Sequence, residues 1–358
     1  MVNHIHKYSL LLVLLLVAEL ALSKPWFPLE VDVWNPPFNT SNKRSIQMYT
    51  PLNKAKEPWK ICVSIPHLKD AYWMVVNFAL IEEAKRLGVR MRINEAGGYD
   101  HIEIQREQVK QCMASGADGL ILSATDASGL NDLIELYTQK GIPVIDLING
   151  VTSKQITARA AVKYFDNAYL TGNYLKRRVA GLKKNVLWLP GPKGPSWSRS
   201  ADDGFKQSIM NSSLTVVETL WGDTGKEKQS ELILQALSYY KNIDYIVGTS
   251  VSSDAAVGII KKMSLEKPIE VLSYYYDPTV HRNISRGYIV AGGSDQQATQ
   301  AKIAVDMLVR SLEGKLKIKH AGARAIMVDK DSFSEFDSNT SIPPKGFRPV
   351  FSLRDWVK

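Results

Sequence analysis

Large aromatic residues recur just after stretches that read as β-strands: Tyr72 and Trp73, Tyr99, Trp197, Trp221 and the run Tyr274–Tyr276. Acids stand in the same places, namely Asp70, Asp126, Asp223, Asp254 and Asp295. A ring offers an apolar wall, tyrosine and tryptophan add a donor at the rim, and a carboxylate adds charge, so such a set suits holding a ligand. Bond-breaking chemistry asks for other patterns, and they are missing. There is no Walker loop, no GxGxxG after a strand, no HExxH and no cysteine-rich metal spacing. "EAGGYD" and "GPKGPSWSRS" contain glycines without the spacing of a phosphate cradle, and "GTSVSSD" is not a GxSxG nucleophile elbow. His67, His101, His281 and His320 are scattered. No catalytic residue, cofactor or metal is expected.

The elements that would carry these residues alternate regularly. "KICVSIP" is an almost continuous apolar strand, and "YWMVVNFALIEEAKRLG" follows as an amphipathic helix closed by Gly88. "VRMRINEAG", "ADGLILSAT" and "IPVIDLIN" read as further strands, separated by the helices "HIEIQREQVKQCMASG" and "ASGLNDLIELYTQKG". The cadence restarts near residue 164 and runs through strands "NVLWLPG", "TVVETLWGD", "IDYIVGTS", "IEVLSYYY" and "GYIVAGGSD". Apolar strands separated by helices predict parallel sheets covered on both faces. Ligands of such sheets bind beyond the carboxyl ends of the strands, where the rings and acids lie. Within "SYYYD", strand alternation sets Tyr275 opposite Tyr274 and Tyr276.

At 358 residues the chain is long enough for about two domains. The net charge of +9 comes from scattered Lys and Arg, with no basic stripe interleaved with aromatics, so no nucleic-acid partner is expected. "MVNHIHKYSLLLVLLLVAELALSK" has a basic start, a leucine-rich run and small residues at Ala21 and Ser23. It reads as a signal peptide over residues 1–23, too short in its apolar run to span a bilayer, which predicts an exported, periplasmic protein. Residues 24–58 read as an N-terminal extension. In an oxidising compartment Cys62 and Cys112 can pair if their Cα atoms lie within about 7 Å, a distance the sequence leaves open.

Three segments resemble a known family. "LKDAYWMVVNFALIEEAKRLG", "GADGLILSATDASGL" and "SRSADDGF" are similar to the first strand–loop–helix, the third strand with its loop, and the arginine-bearing segment of the type I periplasmic binding proteins, the ribose-binding family. The resemblance covers about residues 59–330 and implies an α/β architecture of two Rossmann-like, doubly wound lobes with parallel sheets joined by a hinge. The first lobe is expected over 59–163 plus 295–327, and the second over 164–294 plus 328–358. Arg199 falls where the family carries a ligand-binding arginine.

"KDAYW", "EAGGYD", "LPGP", "SDQ" and "FRPV" are similar to a branch of that family that binds trimethylamine N-oxide and works with a membrane-bound sensor histidine kinase. The resemblance implies that ligand and that partner. The N-oxide joins a methylated cationic nitrogen to a small anionic oxygen. Ring faces attract the methylated end, by about 0.5–2 kcal/mol per ring, and the oxygen needs a donor. At the first loop the family's amide and two phenylalanines become Asp70, Tyr72 and Trp73, and Tyr275 stands where sugar binders carry an acid. The implied ligand set is Asp70, Tyr72, Trp73, Tyr99, Tyr164 (where the chain crosses between lobes), Trp197, Tyr275 and Asp295, with Asp70 also placed to cap a helix. A transport binding protein for a sugar or a quaternary amine such as betaine is the alternative.

Overall fold

The computed structural model describes residues 26–39, 41, 43–264 and 267–355, so the signal peptide expected over 1–23 lies outside the described residues. The first sheet is built from β1 (Leu29–Trp34), β2 (Arg44–Tyr49), β3 (Lys60–Ile65), β4 (Arg90–Glu95), β5 (Gly119–Leu122), β6 (Val144–Leu147), β7 (Ala158–Ala160), β13 (His320–Ala323) and β15 (Ser352–Leu353). Its strand order is β15-β4-β3-β5-β6-β7-β13-β1-β2. The second holds β8 (Lys184–Gly191), β9 (Leu214–Trp221), β10 (Tyr245–Gly248), β11 (Glu270–Ser273), β12 (Ala291–Ser294) and β14 (Ile326–Asp329), in the order β14-β12-β11-β10-β8-β9. Central strands are parallel and buried on both faces, as their apolar runs require, while β2, β14 and β15 are antiparallel edges and β1 is antiparallel to both its neighbours.

Helices cover both faces of each sheet. The first lobe carries α1 (Ala71–Leu87), α2 (Ile102–Ala114), α3 (Asn131–Gln139) and α9 (Gln297–Leu312). The second carries α4 (Tyr164–Val179), α5 (Ser196–Ile209), α6 (Lys226–Tyr239), α7 (Ser250–Ile260) and α8 (Pro278–Ser285). Cys62 of β3 and Cys112 of α2 form a disulfide across Cα atoms 5.7 Å apart. The chain crosses between lobes through three short segments, at residues 161–163, 295–296 and 324–325, and a fourth time through the longer segment between β14 and β15.

Two expectations need correction. Residues 24–58 are not an appendage: β1 pairs with β13 and β2 with β1, so the extension completes the first sheet. Residues 328–358 do not stay with the second lobe either. β14, Phe333 and Phe336 do so, but β15 returns to pair with β4, and Asn77 of α1 grips Val350 through both its N–H and its C=O. An amide inside a helix that satisfies a passing strand is invisible to a hydrophobic pattern, which explains the misplacement of the tail.

Candidate functional site

The loops after β3, β4 and β6 face those after β8, β9 and β11 across the cleft. Helix α1 starts where Asp70 accepts a hydrogen bond from the Trp73 N–H, and this cap presents Tyr72 and Trp73 to the second lobe. Trp197, in the first turn of α5, is held against the end of β8. A Cβ on Gly191, at φ +109°, would meet the indole at 2.6 Å, so only glycine lets the ring lie there. Gly204 brings α5 against α4 in the same way, since a Cβ would sit 2.1 Å from the Phe165 carbonyl oxygen. That contact sets Trp197 beside Tyr164.

The rings form a closed circuit. Centroid separations are 5.6 Å for Trp73–Tyr72, 5.1 Å for Tyr72–Tyr275, 6.1 Å for Tyr275–Trp197, 5.9 Å for Trp197–Tyr99, 5.4 Å for Tyr99–His67 and 6.1 Å for His67–Trp73. Most pairs meet edge to face, which leaves ring faces turned toward the middle. Tyr164 joins through Trp197 at 5.9 Å. Inside lies a cavity lined by Asp70, Tyr72, Trp73, Tyr99, Tyr164, Trp197 and Tyr275, with Ile148, Asn149 and Thr224 completing the wall. It admits the centre of a water molecule over only about 10 Å³, so any organic ligand has to part the walls. Beyond Tyr164 and Trp197 a second space of about 220 Å³ opens.

Asp295 stands one layer back. Its Oδ2 accepts from the Tyr72 hydroxyl at 2.6 Å, the Tyr164 hydroxyl at 2.8 Å and Gln300 Nε2 at 2.7 Å. The two phenol oxygens also lie 2.6 Å apart, and with one hydrogen each the phenols make only two of these three bonds at a time. Arg199 points elsewhere, donating to the Lys193 and Gly194 carbonyls, so the position implied by the family resemblance is not a cavity wall here. Trp221 and Asp254 are not part of the wall, and Asp126 folds back on its own turn. β11 ends at Ser273, so Tyr274–Tyr276 follow the strand; Tyr275 reaches the cavity while the Tyr274 hydroxyl bonds Pro190 O at 2.6 Å.

Two polar contacts close the cleft. Lys69 pairs with Asp223 at 2.5 Å, and His67 Nε2 meets Thr224 Oγ1 at 3.1 Å. Burial, with Lys69 nearby, lowers the His67 pKa to about 3, so the ring is neutral and supplies no charge to Asp70, 3.8 Å away. Burial raises the Asp70 pKa to about 7 despite the Trp73 N–H, and burial also raises that of Asp295 against its three donors. Burial holds the phenols of Tyr72, Tyr164 and Tyr275 protonated, and Asp295 adds to the effect on the first two. Burial raises the Tyr99 pKa, an effect that the nearby N–H groups of Asn149, Trp197 and Trp73 offset only in part, and the Trp197 indole N–H is buried without a hydrogen-bond partner. Three donors thus converge on one corner of the cavity: the Tyr99 hydroxyl and two indole N–H groups.

Ile148, Asn149 and Thr224 carried no signal that sequence reasoning could use. Ile148 adopts φ +67°, a left-handed conformation that a β-branched side chain avoids. The strained turn after β6 brings Asn149 beneath Tyr99, where its Nδ2 donates to Ala124 O at 2.7 Å.

Two α/β lobes, three short crossovers and a ring-lined cavity at the carboxyl ends of both sheets define a hinged binding protein. The chain belongs to the periplasmic binding protein family, whose periplasmic binding protein domain matches residues 61–316. It is similar to the periplasmic protein TorT of Escherichia coli (strain K12), with 33% identity over 86% of this chain and 88% of that protein. Among solved structures, an ABC transporter solute binding protein from Bradyrhizobium sp. BTAi1 with bound bis-tris shares 42% identity and a TM-score of 0.80, covering 92% of this chain and 99% of that one. The complex of the TorS sensor domain with TorT in the presence of TMAO matches at 28% identity and a TM-score of 0.74, covering 82% and 99%.

Proposed function

We propose that the protein is a periplasmic receptor that holds trimethylamine N-oxide between its lobes and relays its presence to a membrane-bound sensor histidine kinase, without catalysis. The observation that carries the reading is the circuit of rings with donors gathered at one corner. The ring faces and the carboxyl of Asp70 suit the methylated nitrogen, and the Tyr99, Trp73 and Trp197 donors suit the oxide oxygen. Neither group demands the fan of hydrogen bonds that a sugar requires. The likeness to TorT, and to TorT in complex with the TorS sensor domain, supports the same ligand and partner. Closure of the lobes then alters the surface offered to the kinase, and the ligand drives it only by its greater affinity for the closed form.

Calorimetric titration of the mature protein with trimethylamine N-oxide, trimethylamine, betaine and ribose tests this. The expected result is saturable binding of the N-oxide and weak or absent binding of trimethylamine and ribose. Binding of ribose or betaine alone refutes it. A second reading, delivery of an amine to a permease, is favoured by the Bradyrhizobium relative, an ABC transporter solute binding protein that holds bis-tris, itself a tertiary amine. The discriminating observation is ligand-dependent co-purification with the periplasmic domain of a sensor kinase, which the receptor reading predicts and the transport reading does not.

A further inference from the structure

The three short crossovers are bonded to one another, and the bonds run through two glutamines that have no part in the cavity wall. Gln300, one turn into α9 and fully buried, accepts from the Val162 N–H of the first crossover at 2.9 Å. Its Nε2 donates to the main-chain oxygen of Asp295 at 2.8 Å and to the Asp295 carboxylate at 2.7 Å, which ties in the second crossover. Gln296, held at φ +53°, donates to Arg324 O of the third crossover at 2.8 Å. From Asp295 the bonds continue to the hydroxyls of Tyr72 on the first lobe and Tyr164 on the second.

We infer that Gln300 and Gln296 are positioning residues that set the hinge angle, and that Asp295 links that angle to the cavity through Tyr72 and Tyr164. Tyr164 opens α4, so its hydroxyl, bonded to Asp295 and in contact with the Tyr72 oxygen, spans the lobes at the hinge itself. Opening the cleft swings α4 away and strips Asp295 of one of three donors inside a low-dielectric site, where a lost partner is costly. Its other oxygen, Oδ1, is already buried with no hydrogen-bond partner, a cost that a purely structural aspartate has no reason to bear. Gln300 keeps Oδ2 aimed at the two phenols, and Gln296 keeps the third crossover moving with the second. A ligand that fixes Tyr72 and Tyr164 therefore fixes all three crossovers together.

The inference rests on the receptor reading only for the choice of ligand. The test is the inter-lobe distance distribution, measured by spin labels at Leu136→Cys on α3 and Tyr239→Cys on α6, both exposed and on different lobes. It is recorded without ligand and with trimethylamine N-oxide. Gln300→Leu is expected to raise the ratio of open to closed molecules about fivefold without ligand, the scale of one net hydrogen bond, and to demand more N-oxide for closure. Gln296→Gly is expected to do the same, and it keeps the test decisive if Gln300→Leu does not fold, because glycine adopts a positive φ without strain. Distributions in both variants that match the parent, or a loss of binding with no change in distances, overturn the inference. A parent that ignores trimethylamine N-oxide while the variants still open refutes the ligand assigned above and supports the hinge tie.

Discussion

Tyr99→Phe removes one oxygen from the cavity and leaves the ring in place. Within the protein that oxygen receives a long bond from Asn149 Nδ2 at 3.5 Å, and Asn149 retains its 2.7 Å bond to Ala124 O. The ring contacts to His67 at 5.4 Å and Trp197 at 5.9 Å survive. The fold should therefore lose less than about 1 kcal/mol, a shift of Tm of only a few degrees. The ligand loses more. The oxide oxygen bears a full negative charge, and a hydrogen bond to a charged group contributes about 1.5–3 kcal/mol, which weakens trimethylamine N-oxide binding about 10- to 150-fold. Tetramethylammonium, in which a methyl replaces the oxygen, meets only the rings and the acids and should bind both proteins equally. Calorimetry with the two ligands on parent and variant gives four constants. Equal losses for both ligands, or no loss for the N-oxide, refute the division of the cavity into a ring-lined side and a donor corner.

Two further outcomes follow from the same geometry. Burial pushes the folded pKa of Asp70 up to about 7 from the ordinary 3.8, so the folded state holds the proton more tightly and its contribution to stability falls as pH rises from about 4 to 7. Asp70→Asn, which keeps a capping oxygen, should raise Tm relative to the parent at pH 8 and leave it little changed below pH 4; a constant difference across that range refutes the buried, unpaired carboxyl. Replacing Cys62 and Cys112 together by alanine opens a loop of 50 residues, worth about 4 kcal/mol in the chain-entropy model, while the bridge lies away from the cavity wall. Urea unfolding should show a loss of about 2–4 kcal/mol with N-oxide affinity unchanged.

The parts of this molecule that the sequence made legible are those with a local cause. β3 is apolar because both its faces are covered, α1 begins at an aspartate and ends at Gly88 with φ +82°, and each leaves a mark within a few residues. Rings placed after strands were likewise visible, and seven of the eight residues singled out share one cavity. Asp295 does not line it, because whether a carboxyl touches a space or stands behind two phenols depends on how α9 and α1 pack. Thr224 and Asn149 are ordinary residues in ordinary loops: lobe closure brings Thr224 to His67, and the turn after β6 brings Asn149 to Tyr99. β1 and β2 hid behind Pro36, Pro37 and a short alternating pattern; they pair with each other, but the strand that joins them to the sheet, β13, lies far along the chain.

That last feature bears on how the protein comes to be made. β1 finds its partner β13 almost a full chain length away, with Val31 opposite Ala323. During vectorial synthesis the second lobe's parallel strands β8 to β12 are contiguous and all precede the strand that seals the first lobe, with only the edge strand β14 still to come. Until residues 320–323 emerge, the free edge of β7 and the apolar face of β1 stay unpaired and open to association with other chains. The nascent first lobe is thus the stage at which a chaperone would have most to protect.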